Sequence, residues 1–192
     1  MPALLLVLLA LAACAPDPAP TPAASASAAS AETPSTPVSD ADTLTVEGGV
    51  WTADVVERDG DTDAQVMLSD VRAARHGGFD RLVFEFEGGR PPVHVEYIDR
   101  PVRACGSGEV VELPGDAWLQ VRFSKARAHT EAGEATVDAR QRELGFSNAL
   151  EWVSTCDFEG EVAYVVAVAS PEPVRVTTLE GPPRVAVDVR HE

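Results

Sequence analysis

The sequence predicts an all-β fold, a sandwich or partly closed barrel of about ten short strands, behind a disordered N-terminal linker. Short alternating runs are the first indication: Leu82, Phe84 and Phe86 share one face of a run whose other face carries Val83 and Glu85. Turn residues, mainly glycine and proline, recur at roughly ten-residue spacing in the part that follows the linker. Almost no stretch there has the periodicity of an amphipathic helix, which argues against a helical or mixed fold.

The N-terminus begins with an apolar run, residues 3–13, which has the length of a signal peptide and is too short to span a bilayer stably. The run ends at Leu11-Ala12-Ala13-Cys14, which resembles the lipobox of bacterial lipoproteins. That resemblance implies cleavage before Cys14 and lipidation of its sulfur, so residues 1–13 are predicted to be a signal peptide. The alternative is a short buried helix that ends at a core cysteine.

A segment rich in Pro, Ala, Ser and Thr follows, residues 14–43, and it contains almost no large apolar side chain. Such a composition cannot offset the entropy of ordering, so we expect a disordered linker with a polyproline bias. At about 3 Å per residue when extended, the linker would hold the domain up to roughly 90 Å from its anchor. Residues 44–65 are expected to lead into the fold, and residues 66–192 to form the β domain.

The charge balance is acidic, with 31 Asp and Glu against 15 Lys and Arg, a net charge of −16. All of these charges lie after Cys14, so the mature protein keeps the whole excess. A field of this sign repels phosphate backbones, which argues against nucleic acid as a partner and against simple adsorption to anionic lipid. About 150 residues remain after the N-terminal segments, enough for one domain with one core.

The central predicted element is a hairpin. Residues 65–72 are predicted as its first strand, and the alternation resumes at Phe79 for the second. His76-Gly77-Gly78 supplies the turn, because glycine enters positive φ at no steric cost. Before the hairpin, the acidic and turn-rich residues 57–63 are predicted to form a loop.

A second hairpin is predicted further along the chain. Residues 109–113 and 117–123 flank Pro114-Gly115-Asp116, which has the composition of a tight connection. Between the two hairpins, residues 93–98 alternate and are predicted as a strand.

The C-terminal part contains a predicted loop and three predicted strands. The polar residues 124–143 are expected to form a long surface loop with a helical turn near 137–143. Residues 162–168 are continuously apolar, as expected for a central strand covered on both faces. Residues 174–179 and 184–189 complete the set. In the last strand, Val185, Val187 and Val189 are expected inside, and Ala186 and Asp188 outside.

Two cysteines remain after Cys14, and in an oxidising compartment the pair Cys105 and Cys156 suggests a disulfide. A reactive thiol is the alternative, although no neighbouring residue supplies the partner that a nucleophilic cysteine needs. The four histidines lack metal-ligand spacing, and no nucleophile-elbow motif is present. We therefore predict no catalytic residue, no metal and no cofactor.

His76, Asp80 and Arg81 form one candidate binding set at the tip of the central hairpin. As a functional set they would hydrogen-bond a ligand. The alternative is structural: Asp80 accepts bonds from backbone N–H groups and Arg81 pairs with a carboxylate of a neighbouring strand.

Trp118, Gln120 and Arg122 form a second candidate set, because they share one face of the strand 117–123. An exposed aromatic ring beside polar groups suits sugar stacking or a protein partner. The alternative is that the loop 124–143 covers Trp118, since tryptophan is usually well buried.

Three segments carry a family resemblance: residues 75–86, residues 156–160, and the closing strand 181–189 with its Pro-Pro-Arg start. Together they resemble the AMIN-like domain of bacterial secreted lipoproteins over roughly residues 66–190. The closing strand is also similar to that of AMIN domains attached to cell-wall amidases and secretins. The resemblance implies a β-sandwich that binds peptidoglycan or another envelope component.

These observations lead to one expectation for function and two alternatives. We expect a lipid-anchored, non-enzymatic module in the cell envelope, on the outer side of a bacterial membrane, that binds peptidoglycan or an envelope protein. The first alternative is a hydrolase of cell-wall material. The second is a structural or inhibitory partner of another envelope protein.

Overall fold

The computed structural model describes residues 49–192. The predicted signal peptide 1–13, the lipidation site Cys14, the linker 14–43 and residues 44–48 lie outside the described residues. In the described part of the chain, no helix is long and apolar enough to cross a membrane.

Within residues 49–192 the regular structure consists of strands in two sheets, which confirms the predicted all-β class. The strands are short and separated by turns, as the alternation in the sequence predicts. They are β1 (Val56–Arg58), β2 (Val66–His76), β3 (Phe79–Glu87), β4 (Val93–Ile98), β5 (Ala117–Ser124), β6 (Ala126–Arg127), β7 (Gln141–Glu143), β8 (Ala149–Phe158), β9 (Glu161–Val168), β10 (Val174–Leu179) and β11 (Arg184–Arg190).

The six-stranded sheet has the order β1-β4-β5-β9-β8-β7, and the five-stranded sheet has the order β10-β11-β3-β2-β6. Neighbouring strands are antiparallel except β2 and β6, which pair in parallel. The two curled sheets enclose a common apolar core, which gives a sandwich or half-barrel. Each sheet therefore has an inner face on this core and an outer face.

Aromatic side chains from both sheets meet in the core. The ring of Phe84 on β3 lies 5.0 Å from Phe123 on β5 and 5.3 Å from Tyr164 on β9, in edge-to-face geometry. Trp152 on β8 contacts Tyr164 at 5.5 Å. All four side chains are buried, and truncation of a buried Phe typically costs about 3–5 kcal/mol. This cluster holds the two sheets together.

The two strands predicted to be central, β9 and β11, are buried on their inner faces, as expected. β9 lies in the middle of its sheet and is buried on both faces. β11 lies between β10 and β3 and is also buried along most of its length. Ala186 and Asp188 face away from the core, as the alternation predicts. Both are nevertheless 0% exposed, because neighbouring side chains cover that face of the sheet as well.

The predicted strand 109–113 does not form. Residues 99–116 instead make an irregular covering segment over the outer face of the six-stranded sheet, with one bridge between Arg103 and Val110. Val102 and Leu113 of the covering segment pack against Val165 and its neighbours in a second apolar cluster. Val111 and Leu113 give this segment the pattern of a strand, and the sequence does not distinguish a strand from a segment that covers one.

The loop predictions are wrong at their ends. The segment 124–143 begins and ends with strand pairing, as β6 and β7, so the helical turn predicted near 137–143 is absent. Likewise, the loop predicted at 57–63 begins inside β1, which pairs with β4.

The predicted disulfide joins Cys105 of the covering segment to Cys156 of β8. It closes a loop with a sequence separation of 51 residues. The backbone N–H of Cys105 also donates to the carbonyl of Thr155 at 2.9 Å. The covering segment is therefore attached to the sheet by covalent, polar and apolar contacts.

Candidate functional site

Arginines concentrate on the outer face of the five-stranded sheet, although the chain as a whole is strongly acidic. Side chains alternate between the faces of a strand, so cross-strand partners on one face form rows. Two adjacent outer rows consist of Arg175, Asp188, Arg81 and Ala74, and of Arg190, Phe79 and His76.

Aromatic rings lie among these arginines. The His76 ring stacks on Phe79, with centroids 4.7 Å apart and an angle of 11° between the planes. Trp51, from the segment before β1, meets Phe79 edge-to-face at 6.1 Å. The Arg175 guanidinium lies 4.5 Å from the Trp51 ring centre and 5.2 Å from that of Phe79, and Arg190 lies 4.7 Å from Trp51. These distances are within the range of cation–π attraction.

A buried carboxylate organises the cationic groups. The Asp188 carboxylate accepts hydrogen bonds from Nε and Nη2 of Arg81, at 2.6 and 3.0 Å. It also accepts hydrogen bonds from Nε and Nη2 of Arg175, at 2.9 and 2.6 Å. The hydrogen bonds to Asp188 raise the pKa of Arg81 above its usual value, against the opposing effect of burial. Two arginines share one carboxylate, so the cluster keeps a positive excess. We name Trp51, His76, Phe79, Arg81, Arg175 and Arg190 the arginine–aromatic surface.

A cavity of about 230 Å³ adjoins this surface on the same face of the sheet. Arg81 and His76 belong to both the cavity and the arginine–aromatic surface. We name it the arginine cavity; its lining consists of Arg72, Ala73, Ala74, His76, Arg81, Val83, Leu179 and Arg184.

The structure places the first candidate set on both sides of its sheet. His76 and Arg81 lie on the outer face, but Asp80 points inward and is 0% exposed. Oδ2 of Asp80 accepts the backbone N–H groups of Asn148 and Ala149 at 2.8 and 2.9 Å. The contacts of Asp80 and Arg81 are therefore those of the structural alternative, and Asp80 is not available to a ligand at the surface.

The second candidate set lies on the outer face of the six-stranded sheet, away from the first. Trp118 is half-buried, donates Nε1–H to the carbonyl of Pro114 at 3.2 Å, and has the Arg100 guanidinium 4.1 Å from its ring centre. The prediction that the loop 124–143 would cover Trp118 is wrong, because the covering segment 99–116 does so.

Gln120 and Arg122 continue along the same face of β5 beyond the covering segment. Both are half-buried, and they pair across the sheet with Glu96 and His94. Arg122 and His94 line a cavity of about 320 Å³ together with acidic residues, including Glu57. This second cavity has mixed charge, whereas the arginine cavity has no carboxylate in its lining.

Sequence reasoning missed four members of the outer face: Trp51, Arg175, Asp188 and Arg190. One signal was present, because Asp188 is the single charge inside the apolar strand 185–189. A charge in that position calls for a partner on the next strand. The other three come together only through strand pairing, which the sequence does not specify.

Within residues 49–192, no group of His, Cys, Asp and Glu side chains is placed to hold a metal ion. The model of the AMIN-like domain matches residues 66–191. The chain belongs to the AMIN-like domain family. No curated protein and no solved structure matches the chain.

AMIN-like domains occur in cell-envelope proteins, and AMIN domains are non-catalytic binding modules. The family therefore indicates a module associated with peptidoglycan or the envelope. The matched residues include the whole arginine cavity, while Trp51 of the arginine–aromatic surface lies before them.

Proposed function

We propose that this AMIN-like domain binds a cell-envelope component, peptidoglycan or an envelope protein, on the outer face of its five-stranded sheet and does not convert it chemically. The observation that carries the proposal is the arginine–aromatic surface. It offers half-buried rings and guanidinium groups on one side of a chain whose net charge is −16.

The chemistry of this surface suits a polymer that has both sugar faces and acidic groups. Aromatic rings such as Trp51 and Phe79 provide flat apolar area for a sugar face. Arginine donates paired hydrogen bonds to carboxylate, and its planar group stacks on rings. The outer face of the other sheet suits this role less well, because the covering segment closes over Trp118.

Lipidation of Cys14 and the linker 14–43 complete the proposal. An acylated Cys14 would hold the domain on the outer side of a bacterial membrane, and an extended linker would give it reach of up to roughly 90 Å. The His76–Phe79 stack and the pairing of Arg81 with Asp188 then act in binding and support, not in proton transfer. This assignment favours a binding module over a cell-wall hydrolase.

Sedimentation with purified cell-wall sacculi tests the proposal. The core lies within residues 49–192, so a soluble chain from Ala15 to Glu192 retains it. We expect this chain to sediment with sacculi and to release no soluble fragments. Release of fragments would indicate a hydrolase, and failure to associate would favour a protein partner.

A pair of variants locates the binding face. The double variant Trp51→Ala, Arg190→Gln removes a ring and a cation from the arginine–aromatic surface, and we expect it to weaken sedimentation by about tenfold. Arg122→Gln is the matched control, because it removes an arginine from the outer face of the opposite sheet. Equal loss in both variants would place binding elsewhere or reduce it to non-specific charge.

A further inference from the structure

We infer that the arginine cavity binds a single anionic group, a carboxylate or a phosphate, attached to a small apolar body. This inference rests on the proposed function and deepens it, because it names the chemistry of the ligand group that the outer face of the five-stranded sheet selects. It depends on the cavity's donors, walls, size and electrostatic surroundings.

The cavity has a basic lining. Arg72, Arg81 and Arg184 reach it from three adjacent strands, β2, β3 and β11, and His76 adds a fourth nitrogen-bearing side chain. No Asp or Glu belongs to the lining. Arg184 donates to the carbonyls of Pro182 and Glu180 and contributes positive charge to the wall. Arg72 and Arg81 supply the donors for an anion, since a guanidinium presents a planar fork of N–H groups.

Nearby carboxylates hold Arg81 and Arg72 in place without using all of their donors. Asp188 accepts hydrogen bonds from Nε and Nη2 of Arg81, so the N–H donors on Nη1 remain for a ligand. Asp70 and Glu85 both bind Nη1 of Arg72, at 2.6 and 2.9 Å, which leaves Nε and Nη2. The guanidinium groups are therefore positioned before a ligand arrives, and positioning in advance reduces the entropic cost of binding.

The remaining walls are apolar. Val83 lies on β3 between Arg81 and Glu85 on the outer face. Ala74 borders the space from β2, next to β3, and Leu179 from β10, beyond β11. A volume of about 230 Å³ is below the range of sites that enclose a whole drug-sized ligand. The cavity therefore fits a terminal group with one or two small apolar substituents, and the rest of the ligand extends over the arginine–aromatic surface.

The net charge of the molecule makes a site for anions at this location unusual. With a net charge of −16, most of the surface repels anions. An anionic ligand is therefore directed to the outer face of the five-stranded sheet, where Arg81 and Arg175 share a single carboxylate, and interactions with other parts of the surface are disfavoured.

Direct titration with small probes tests the inference. We would add N-acetyl-alanyl-alanine, its C-terminal amide and glycerol 3-phosphate separately to the isotope-labelled chain Ala15–Glu192, and follow the backbone amides by NMR. The amide probe has the same apolar body as the acid but no charge. We expect saturable shifts at residues 72–76 and 81–83 with at least one of the two anions, and none with the amide.

One substitution blocks the cavity without removing any arginine. Ala74 is exposed on β2, so Ala74→Glu adds a carboxylate to the lining at little cost to folding. We expect it to weaken anion binding at least about tenfold, the scale of one charged hydrogen bond. Ala132→Glu adds the same charge at an exposed site in the turn 130–133, outside the cavity, and should leave binding within about twofold of the wild type.

The outcomes separate cleanly. Shifts with the acid alone identify a carboxylate, shifts with glycerol 3-phosphate alone identify a phosphate, and either supports the inference. Equal shifts with the amide, shifts centred near Arg122, unchanged binding in Ala74→Glu, or no shift with any probe would overturn it. Sacculus binding that survives in Ala74→Glu would leave the proposed function standing while the cavity assignment fails. Probe binding at the cavity without sacculus binding would leave the cavity assignment standing while the proposed binding to the cell wall fails.

Discussion

Arg81 and Asp188 are direct cross-strand partners on β3 and β11, and Nε of Arg81 lies 2.6 Å from Oδ1 of Asp188. Asp188 is 0% exposed, while the side chains of Arg81 and Arg175 are 28% and 25% exposed. The carboxylate is therefore fully buried, whereas the two arginines that bind it are only partly buried. Asp188 has the structural role on this face, and the arginines retain access to solvent.

Replacing that carboxylate should destabilise the fold. Asp188→Asn leaves Arg81 and Arg175 without their counter-charge, and we expect a loss of about 2–3 kcal/mol, below the range for fully buried pairs because the arginines are partly hydrated. Urea unfolding measures the change. Asp63→Asn, which removes the exposed partner of Lys125, is the control and should leave the midpoint unchanged. Equal midpoints for the two variants would contradict a supporting role for Asp188.

Asp80 should prove to be a structural residue and not a ligand-binding one. Asp80→Ala leaves two buried backbone N–H groups, those of Asn148 and Ala149, without an acceptor, and we expect a loss of about 2–4 kcal/mol. Calorimetry or urea unfolding gives the stability, and sacculus sedimentation below the transition gives binding. A variant that stays folded should bind as the wild type does. Weakened binding at unchanged stability would return Asp80 to the list of binding candidates.

The disulfide should account for a large share of the stability. Replacing Cys105 and Cys156 by serine releases a loop with a sequence separation of 51 residues, and the chain-entropy relation gives about 4 kcal/mol for that length. The wild type should lose a similar amount when reduced, whereas the variant should not respond to a reductant. A reductant effect in the variant would point to a cause other than this bond.

The disulfide variant should also loosen the covering segment. Cys105 anchors residues 99–116 over Trp118 in the wild type. In the variant, hydrogen exchange should therefore accelerate at the backbone N–H of position 105 and at that of Val111, both of which are bonded in the native state. Exchange in β3 and β11 should change only with global stability. Uniform acceleration across the domain would show that the segment has no independent opening.

Alkaline pH should destabilise the domain through its tyrosines. Burial raises the pKa of Tyr97 and of Tyr164 to about 12, and these are the two tyrosines of the chain. In the unfolded state a tyrosine ionises near about pH 10, so between about pH 10 and 12 the unfolded state loses protons that the folded state keeps. Stability from this source is complete below about pH 10 and is lost as the pH rises through about 12.

The size of the alkaline effect follows from linkage. Tyr164 should lower the free energy of unfolding by about 1.4 kcal/mol per pH unit in that window, and Tyr97, which is more exposed, by less. Tyrosinate absorbance in the ultraviolet should appear together with the loss of β-sheet circular dichroism. Ionisation of both tyrosines near pH 10 with the sheet intact would contradict the burial argument.

The inner faces of the sandwich are predictable from sequence because a single rule fixes them. In β3 and β11 the period of two places Phe84 and Val187 inside, and no other information is needed. The burial of residues on the outer faces depends on which segments and side chains cover them, and the alternation in the sequence does not show this. The period therefore places Asp188 on the outer face but does not show that it is buried there, where its carboxylate binds Arg81 and Arg175.

The candidate site was predictable to the extent that its residues are close in the sequence. His76 and Arg81 belong to one hairpin, so the sequence brings them together. Arg175 and Arg190 join them only because β10 and β11 pair next to β3. Val111 and Leu113 predict a strand that does not form for a related reason, since apolar residues that cover a sheet resemble those that form part of it.

The location of Trp51 has a practical consequence for work on this family. Its indole lies on Arg175 and Arg190, yet it precedes residue 66, where the match to the family begins. A fragment trimmed to the matched boundaries would lose this ring, the Thr52–Val174 bridge and all of β1. Negative results from a protein shortened in that way would describe a damaged surface, and relatives should be expressed with at least the stretch equivalent to residues 49–65 attached.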